Sequence, residues 1–259
     1  AMEMVKPTFL ADEPCSICYA PSLATWQLLR NRENRPVRNV AAVGIQRLPG
    51  SKPLPGVMTE IRALQETLGR QKMKVLLEQR AVKQDTLALM SEPGLLLIGT
   101  HGRNRPDEPL ESDLLLYPQG MSRGRLSAAE LYDCDIETDL IILSACYTGL
   151  ADKSPLPGDD LFGLQRALLQ SGARTVVTGQ WDIYDATGPM IMTYFFEQLE
   201  RGKTAPEALA DAQRQFLAGL RASTDPEPWL HPYFWAVYTV AGDDRTRFEN
   251  ARVAFCPTP

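Results

Sequence analysis

The sequence is sparing with the residues that would most narrow its role. Five cysteines occur in 259 residues, Cys15, Cys18, Cys134, Cys146 and Cys256, an odd number at irregular spacings. That pattern excludes the disulfide framework of a small secreted domain and points to a reducing, cytoplasmic setting. No apolar run approaches the ~20 residues of a membrane-spanning helix. The opening "AMEMVKPTF" lacks the apolar centre of a signal peptide. Lys and Arg total 27 against 32 Asp and Glu, a formal charge of −5, and no long basic run exists. Direct contact with nucleic acid or a membrane surface is therefore not expected. A phosphate-loop pattern is missing, as is a G-x-G-x-x-G after a strand, which disfavours a nucleotide-binding domain. Cys15-x-x-Cys18 has no second ligand pair at metal-site spacing, so no metal and no cofactor is expected.

What is present is ordinary globular composition, 44% hydrophobic and 23% charged, in a chain long enough to bury a full core. Strand and helix patterns alternate. "RNVAAVGI" is a strand candidate and "VMTEIRALQETLG" places Ile61, Leu64 and Leu68 at helical spacing before Gly69. "MKVLLEQ" reads as a strand and "KQDTLALM" as a short helix. "GLLLIGT" and "DLIILSA" are continuous apolar runs, the mark of strands buried on both faces. Between them, "DLLLYP" and "GRLS" form a small hairpin, and Ser127 with Glu130 has capping-box spacing. "DDLFGLQRALLQSG" is an amphipathic helix and "RTVVTG" a strand. A helix is expected over 185–201, and another opened by the Thr204 to Glu207 capping box. "PYFWAVYTVAG" closes the sheet. This order predicts an α/β fold, a mostly parallel sheet of about six strands with helices on both faces. One main domain over 36–245 is expected, with an arm and lead-in helix over 1–35 and a tail over 246–259.

In an open parallel sheet, reactive groups gather at the carboxyl ends of the strands. His101-Gly102 follows one doubly buried run and Ala145-Cys146 follows the other. The segment between them holds only a hairpin and a short helix, so the two strands are expected to be neighbours, about 4.8 Å apart. A thiol needs only modest activation by an imidazole. The imidazole can then protonate a leaving amine. Gly102 and Cys146 offer backbone N–H groups to an oxyanion. The pair is a candidate cysteine-peptidase dyad. Packing is the competing role for the thiol, since free cysteine often behaves as a small buried hydrophobe. His231, beside Pro232, reads as structural.

The segments "LLLIGTHG", "DLIILSACYTG", "GDDLFGLQRALLQSGARTVVTGQW", "ALADAQRQF" and "HPYFWAVYTVAGD" resemble, in order and spacing, the CHAT family of caspase-like domains. "YAPSLATWQLLR" is similar to that family's lead-in segment. The resemblance runs from about Tyr19 to Asp243. It implies a caspase-like three-layer fold shared with separases and gingipains, and cysteine peptidase activity through His101 and Cys146. It also implies a protein substrate and regulation by a partner or fused domain. In relatives this is a tetratricopeptide repeat or an RNA-guided effector in bacterial defence or signalling. A catalytically silent interaction module on the same scaffold is the alternative.

Among caspase-like peptidases, those preferring arginine or lysine place a carboxylate in the pocket beside the nucleophile. Ser144 stands here where some have aspartate. Asp159, Asp160, Asp182 and Asp185 are the other acids available, and Trp181 is a candidate pocket wall, with core packing as the alternative of equal standing. Asp159 and Asp160 fit better as helix N-terminal caps. Asp185 is expected to cap a helix beginning near Ala186. Gln180 departs from the leucine that relatives commonly carry before the tryptophan. The preferred side chain stays open between basic and apolar. The long loop "YTGLADKSPLPGDD" after Cys146 is a candidate for ordering on substrate or activator binding, or for cleavage during maturation.

Overall fold

The structure is a computed structural model that describes residues 15–69, 72–105, 107–147, 162–223 and 229–249. The sheet is built from β1 (Val40–Gly44), β2 (Met73–Leu77), β3 (Leu95–Arg103), β6 (Leu140–Tyr147), β7 (Thr175–Gly179) and β8 (Tyr238–Gly242). Their order across it is β2-β1-β3-β6-β7-β8. All neighbours are parallel except β7 and β8, which run antiparallel. The hairpin of β4 (Asp113–Leu115) and β5 (Arg125–Ser127) extends from the end of β3.

Two apolar cores make the three layers. On one face Leu95, Leu97, Leu140, Ile142 and Val177 pack beneath α2 (Pro55–Thr67), α6 (Gly188–Glu200) and α7 (Ala205–Ala222). On the other, Leu96, Ile98, Ile141, Leu143 and Val176 pack against α1 (Leu23–Arg30), α3 (Lys83–Met90), α4 (Ala128–Tyr132) and α5 (Phe162–Gln170). Covering both faces is what makes "LLLI" and "LIIL" unbroken apolar runs rather than alternating ones. The arm enters along the sheet edge, where the Tyr19 N–H donates to Val240 O at 2.8 Å and the Gly242 N–H to Tyr19 O at 2.9 Å. Below the sheet's amino-terminal end, Asp139 and Asp243 hold the buried Arg174 at 3.3 and 3.2 Å. Both predicted capping boxes form, at Ser127/Glu130 and at Thr204/Glu207.

Four boundaries differ from the sequence expectation. β3 and β6 run on past Thr100 and Ala145, so His101, Gly102 and Cys146 lie within strands rather than on the loops after them. Pairing with β4 on one side and between the two strands on the other extends them. The helix expected from residue 185 begins at Gly188. The last strand begins at Tyr238, because Pro232–Phe234 closes as a 3₁₀ turn with His231 Nδ1 accepting the Tyr233 N–H.

Glycine decides how closely α2 sits. A Cβ on Gly99 would lie 2.9 Å from Val57 Cγ1, and one on Gly44 2.3 Å from Ile61 Cδ1. Without these glycines the helix would stand further from the sheet.

Candidate active site

His101 and Cys146 are direct partners in the parallel register of β3 and β6, flanked by Thr100 with Ala145 and Gly102 with Tyr147. The strand period puts position 146 on the face that carries Leu140, Ile142 and Ser144, beneath α2 and α6. Position 101 shares that face with Leu95, Leu97 and Gly99. The expectation of adjacent strands is met. Gly102 stands in register with Leu114 of β4 and Tyr147 of β6.

His101 is fully buried. Its Nε2–H donates to the carbonyl oxygen of Lys52 at 2.7 Å. A carbonyl can only accept, so this bond fixes the tautomer and leaves Nδ1 as the ring nitrogen that can take a proton. Lys52 lies on the segment between β1 and α2, at the carboxyl end of the sheet. The neighbouring Thr100 hydroxyl is tied to Leu115 O at 2.5 Å, which anchors the hairpin beside the histidine.

Of the expected pocket residues, the structure brings Ser144 and Asp185 to this end of the sheet. Ser144 is nearly buried, with its hydroxyl 3.4 Å from that of Tyr238. Asp185 does not cap the helix that follows it. Its carboxylate instead accepts the Gly56 N–H in the first turn of α2, and it feels His101 electrostatically. Both effects lower its pKa, but burial dominates and raises it. Asp182 is also raised, by burial alone. Trp181 stacks on Tyr233 with centroids 6.2 Å apart, and its indole N–H donates to Tyr233 O at 2.8 Å. It is half-buried against the core, which supports the packing role as much as a pocket wall. Gln180 donates to the Thr239 hydroxyl at 2.5 Å. Asp159, Asp160 and the loop after Tyr147 lie outside the described residues.

The sequence reading missed Glu60. This acid is 2% exposed in the middle of α2, on the face that packs Val57, Ile61 and Leu64. Its carboxyl accepts from the hydroxyls of Ser144 and Tyr238. One oxygen, Oε2, has no partner among the described residues. Burial pushes its pKa up to about 8, against the Ser144 bond that lowers it and with Asp185 adding to the rise. The signal was available: Glu60 interrupts an i, i+3, i+4, i+7 apolar pattern beginning at Val57.

A caspase-like fold is what this sheet order and layering define. It is shared with separase from Saccharomyces cerevisiae in two structures of its complex with securin. The TM-scores are 0.57 and 0.56 at 14% identity, over 90% and 88% of this chain and 14% of separase. Pro-sf-caspase-1 matches at a TM-score of 0.48 and 12% identity, over 84% of this chain and 96% of that one. No curated protein matches the sequence. The CHAT domain family matches over residues 2–243, and the chain belongs to that family. Among the described residues no helix is long and apolar enough to cross a membrane.

Proposed function

We propose that this chain is a cysteine endopeptidase acting on a protein substrate through Cys146 and His101. The observation that carries the reading is the register. Two reactive residue types stand opposite one another at the carboxyl ends of adjoining parallel strands, and the base is held by Lys52 O in the tautomer the chemistry needs. His101 Nδ1 takes the thiol proton, and the thiolate attacks the scissile carbonyl. The backbone N–H groups of Gly102 and Cys146 are the proposed donors to the oxyanion. The imidazolium then gives its proton to the leaving amine and a thioester remains. Water, deprotonated by His101, hydrolyses the thioester, releasing the carboxylate product and the thiol. Asp185 lies close enough to His101 to interact with it electrostatically.

Control by a partner or fused domain belongs to the same proposal and rests on the family relationship. The test is cleavage of a peptide library with varied residues before the scissile bond, by wild type, Cys146→Ala and His101→Ala. Loss of about 10³-fold or more in kcat/KM is expected for both variants. Equal cleavage by wild type and Cys146→Ala would refute the reading and leave the silent interaction module.

A further inference from the structure

The helix that carries Glu60 already serves the base. Lys52, whose carbonyl oxygen accepts from His101 Nε2 at 2.7 Å, lies just before Pro55, the first residue of α2. The Leu54 N–H donates to Gln46 O at 2.9 Å and pins the start of the helix close to the end of β1. Further along the same helix, the buried Glu60 carboxyl accepts from the hydroxyls of Ser144 on β6 and Tyr238 on β8. Those hydroxyls are 3.4 Å apart, so α2, β6 and β8 meet at one polar point inside an apolar core. Helix α6 closes over it. A Cβ on Gly188, its first residue, would lie 3.3 Å from Tyr238 Oη and 3.8 Å from Glu60 Oε1. Ser144 precedes Cys146 by two positions on the same strand face, about 6.6 Å along it.

Stability does not account for this acid. Among the described residues no cation faces it and Oε2 has no partner, and an apolar side chain of similar size would fill the space at lower cost. What the carboxyl supplies is direction. The apolar contacts of Val57, Ile61 and Leu64 hold α2 on the sheet but are non-directional. An oxygen that accepts two hydroxyls fixes distance and angle as well. The helix is thus tied to His101 through the Lys52 carbonyl at its start and to the Cys146 strand through Glu60 in its middle. We infer that Glu60 is a positioning residue for the dyad: through Ser144 it holds the nucleophile strand in place against the helix whose lead-in orients His101. The inference rests on the peptidase reading and adds a residue to it. The titratable groups facing Glu60 are Asp185 on the loop before α6 and Tyr238 on β8, while His101 on β3 acts on Asp185; α6 presents only Gly188. None of them favours a carboxylate strongly enough to offset burial, so Glu60 is neutral at pH 7 and still accepts at its carbonyl oxygen. Above pH 8 it ionises, and an unpaired charge between α2 and β6 loosens the link.

Two measurements test this, and the first needs no substrate. Alkylation of Cys146 by iodoacetamide at pH 6.5 is followed by peptide mass spectrometry in wild type, Glu60→Leu, Glu60→Gln and Ser144→Ala. A thiol set against its imidazole reacts faster than an isolated one, so Glu60→Leu and Ser144→Ala are each expected to slow the reaction at least tenfold. Glu60→Gln keeps the acceptor and is expected to stay within threefold of wild type. Because the two residues act in series, Glu60→Leu combined with Ser144→Ala is expected to be no slower than the slower single variant. Rates in Glu60→Leu and Ser144→Ala equal to wild type, or fully additive losses, overturn the inference. In the second measurement, peptides that wild type cleaves are turned over between pH 7 and pH 9. Glu60→Leu is expected to lower kcat at least 30-fold with KM changed less than threefold. Wild-type kcat is expected to fall at least fivefold across that range and that of Glu60→Gln less than twofold; parallel profiles overturn the inference. If cleavage depends on Cys146 while both measurements ignore Glu60, the inference falls and the peptidase reading stands. If alkylation depends on Glu60 and Ser144 while no peptide is cleaved, the peptidase reading falls. A thermal melt of Glu60→Leu at or above that of wild type separates lost position from lost fold. Should it melt lower, Ser144→Ala, which removes a single oxygen, decides.

Discussion

Replacing Glu60 with glutamine removes a titration and leaves the side chain's shape, so its effect on stability depends on pH in a calculable way. The carboxyl titrates near 4.5 in an unstructured chain and at about 8 in the folded protein. A raised acid keeps its proton in the fold, so its stability contribution is fully present below 4.5 and is lost as pH rises through 8. Raising the carboxyl from 4.5 to about 8 amounts to roughly 5 kcal/mol, at about 1.36 kcal/mol per pH unit. Between pH 5.5 and pH 8.5 wild type is expected to lose about 3 kcal/mol relative to Glu60→Gln. Other titrating groups cancel in the difference between the two proteins. Urea denaturation of both at the two pH values measures it. If the gap between them is the same at pH 5.5 and pH 8.5, Glu60 ionises normally and the buried-acid argument is wrong.

Other perturbations probe the frame that positions the site. Gly99→Ala puts a methyl 2.9 Å from Val57 Cγ1 and is expected to cost roughly 1–3 kcal/mol in chemical denaturation by lifting α2. Asp113 is fully buried and takes a bidentate fork from Arg103 at 2.9 and 2.8 Å, plus Arg125 Nε at 2.6 Å. Asp113→Asn should cost about 2–4 kcal/mol and speed amide exchange in β4 and β5, the hairpin beside His101. Burial pushes the Cys18 thiol up to about 12, with Asp244 and Asp243 adding to it. Its alkylation at pH 8, followed by mass spectrometry, is expected to be slow and to quicken about tenfold per pH unit up to pH 10. Alkylation at the rate of a free thiol would contradict that environment.

Much of the layout was legible because it follows from patterns the backbone enforces. "LLLI" and "LIIL" had to be doubly covered strands, and their nearness in the chain made them neighbours; that alone brings His101 opposite Cys146. The capping boxes at Ser127 and Thr204 were visible because their chemistry is local. What could not be read depends on contacts between distant segments. Strands β3 and β6 reach past Thr100 and Ala145 only because β4 pairs alongside. Asp185 looked like the cap of its own helix, yet its carboxylate serves the first turn of α2, more than a hundred residues earlier in the chain. Glu60 was passed over because an acid on an amphipathic helix ordinarily faces water; only the glycines at 44 and 99 bring α2 close enough for it to meet Ser144.

The Lys52 carbonyl has a consequence for how this site can change. The group that orients His101 belongs to the main chain, so no exchange of one side chain for another deletes it. Catalytic histidines steered by an aspartate can be disarmed by a single codon change at that aspartate. Here misorienting His101 requires moving the backbone between Ile45 and Leu54, which makes the path of that segment, rather than its residue identities, the heritable control on the imidazole.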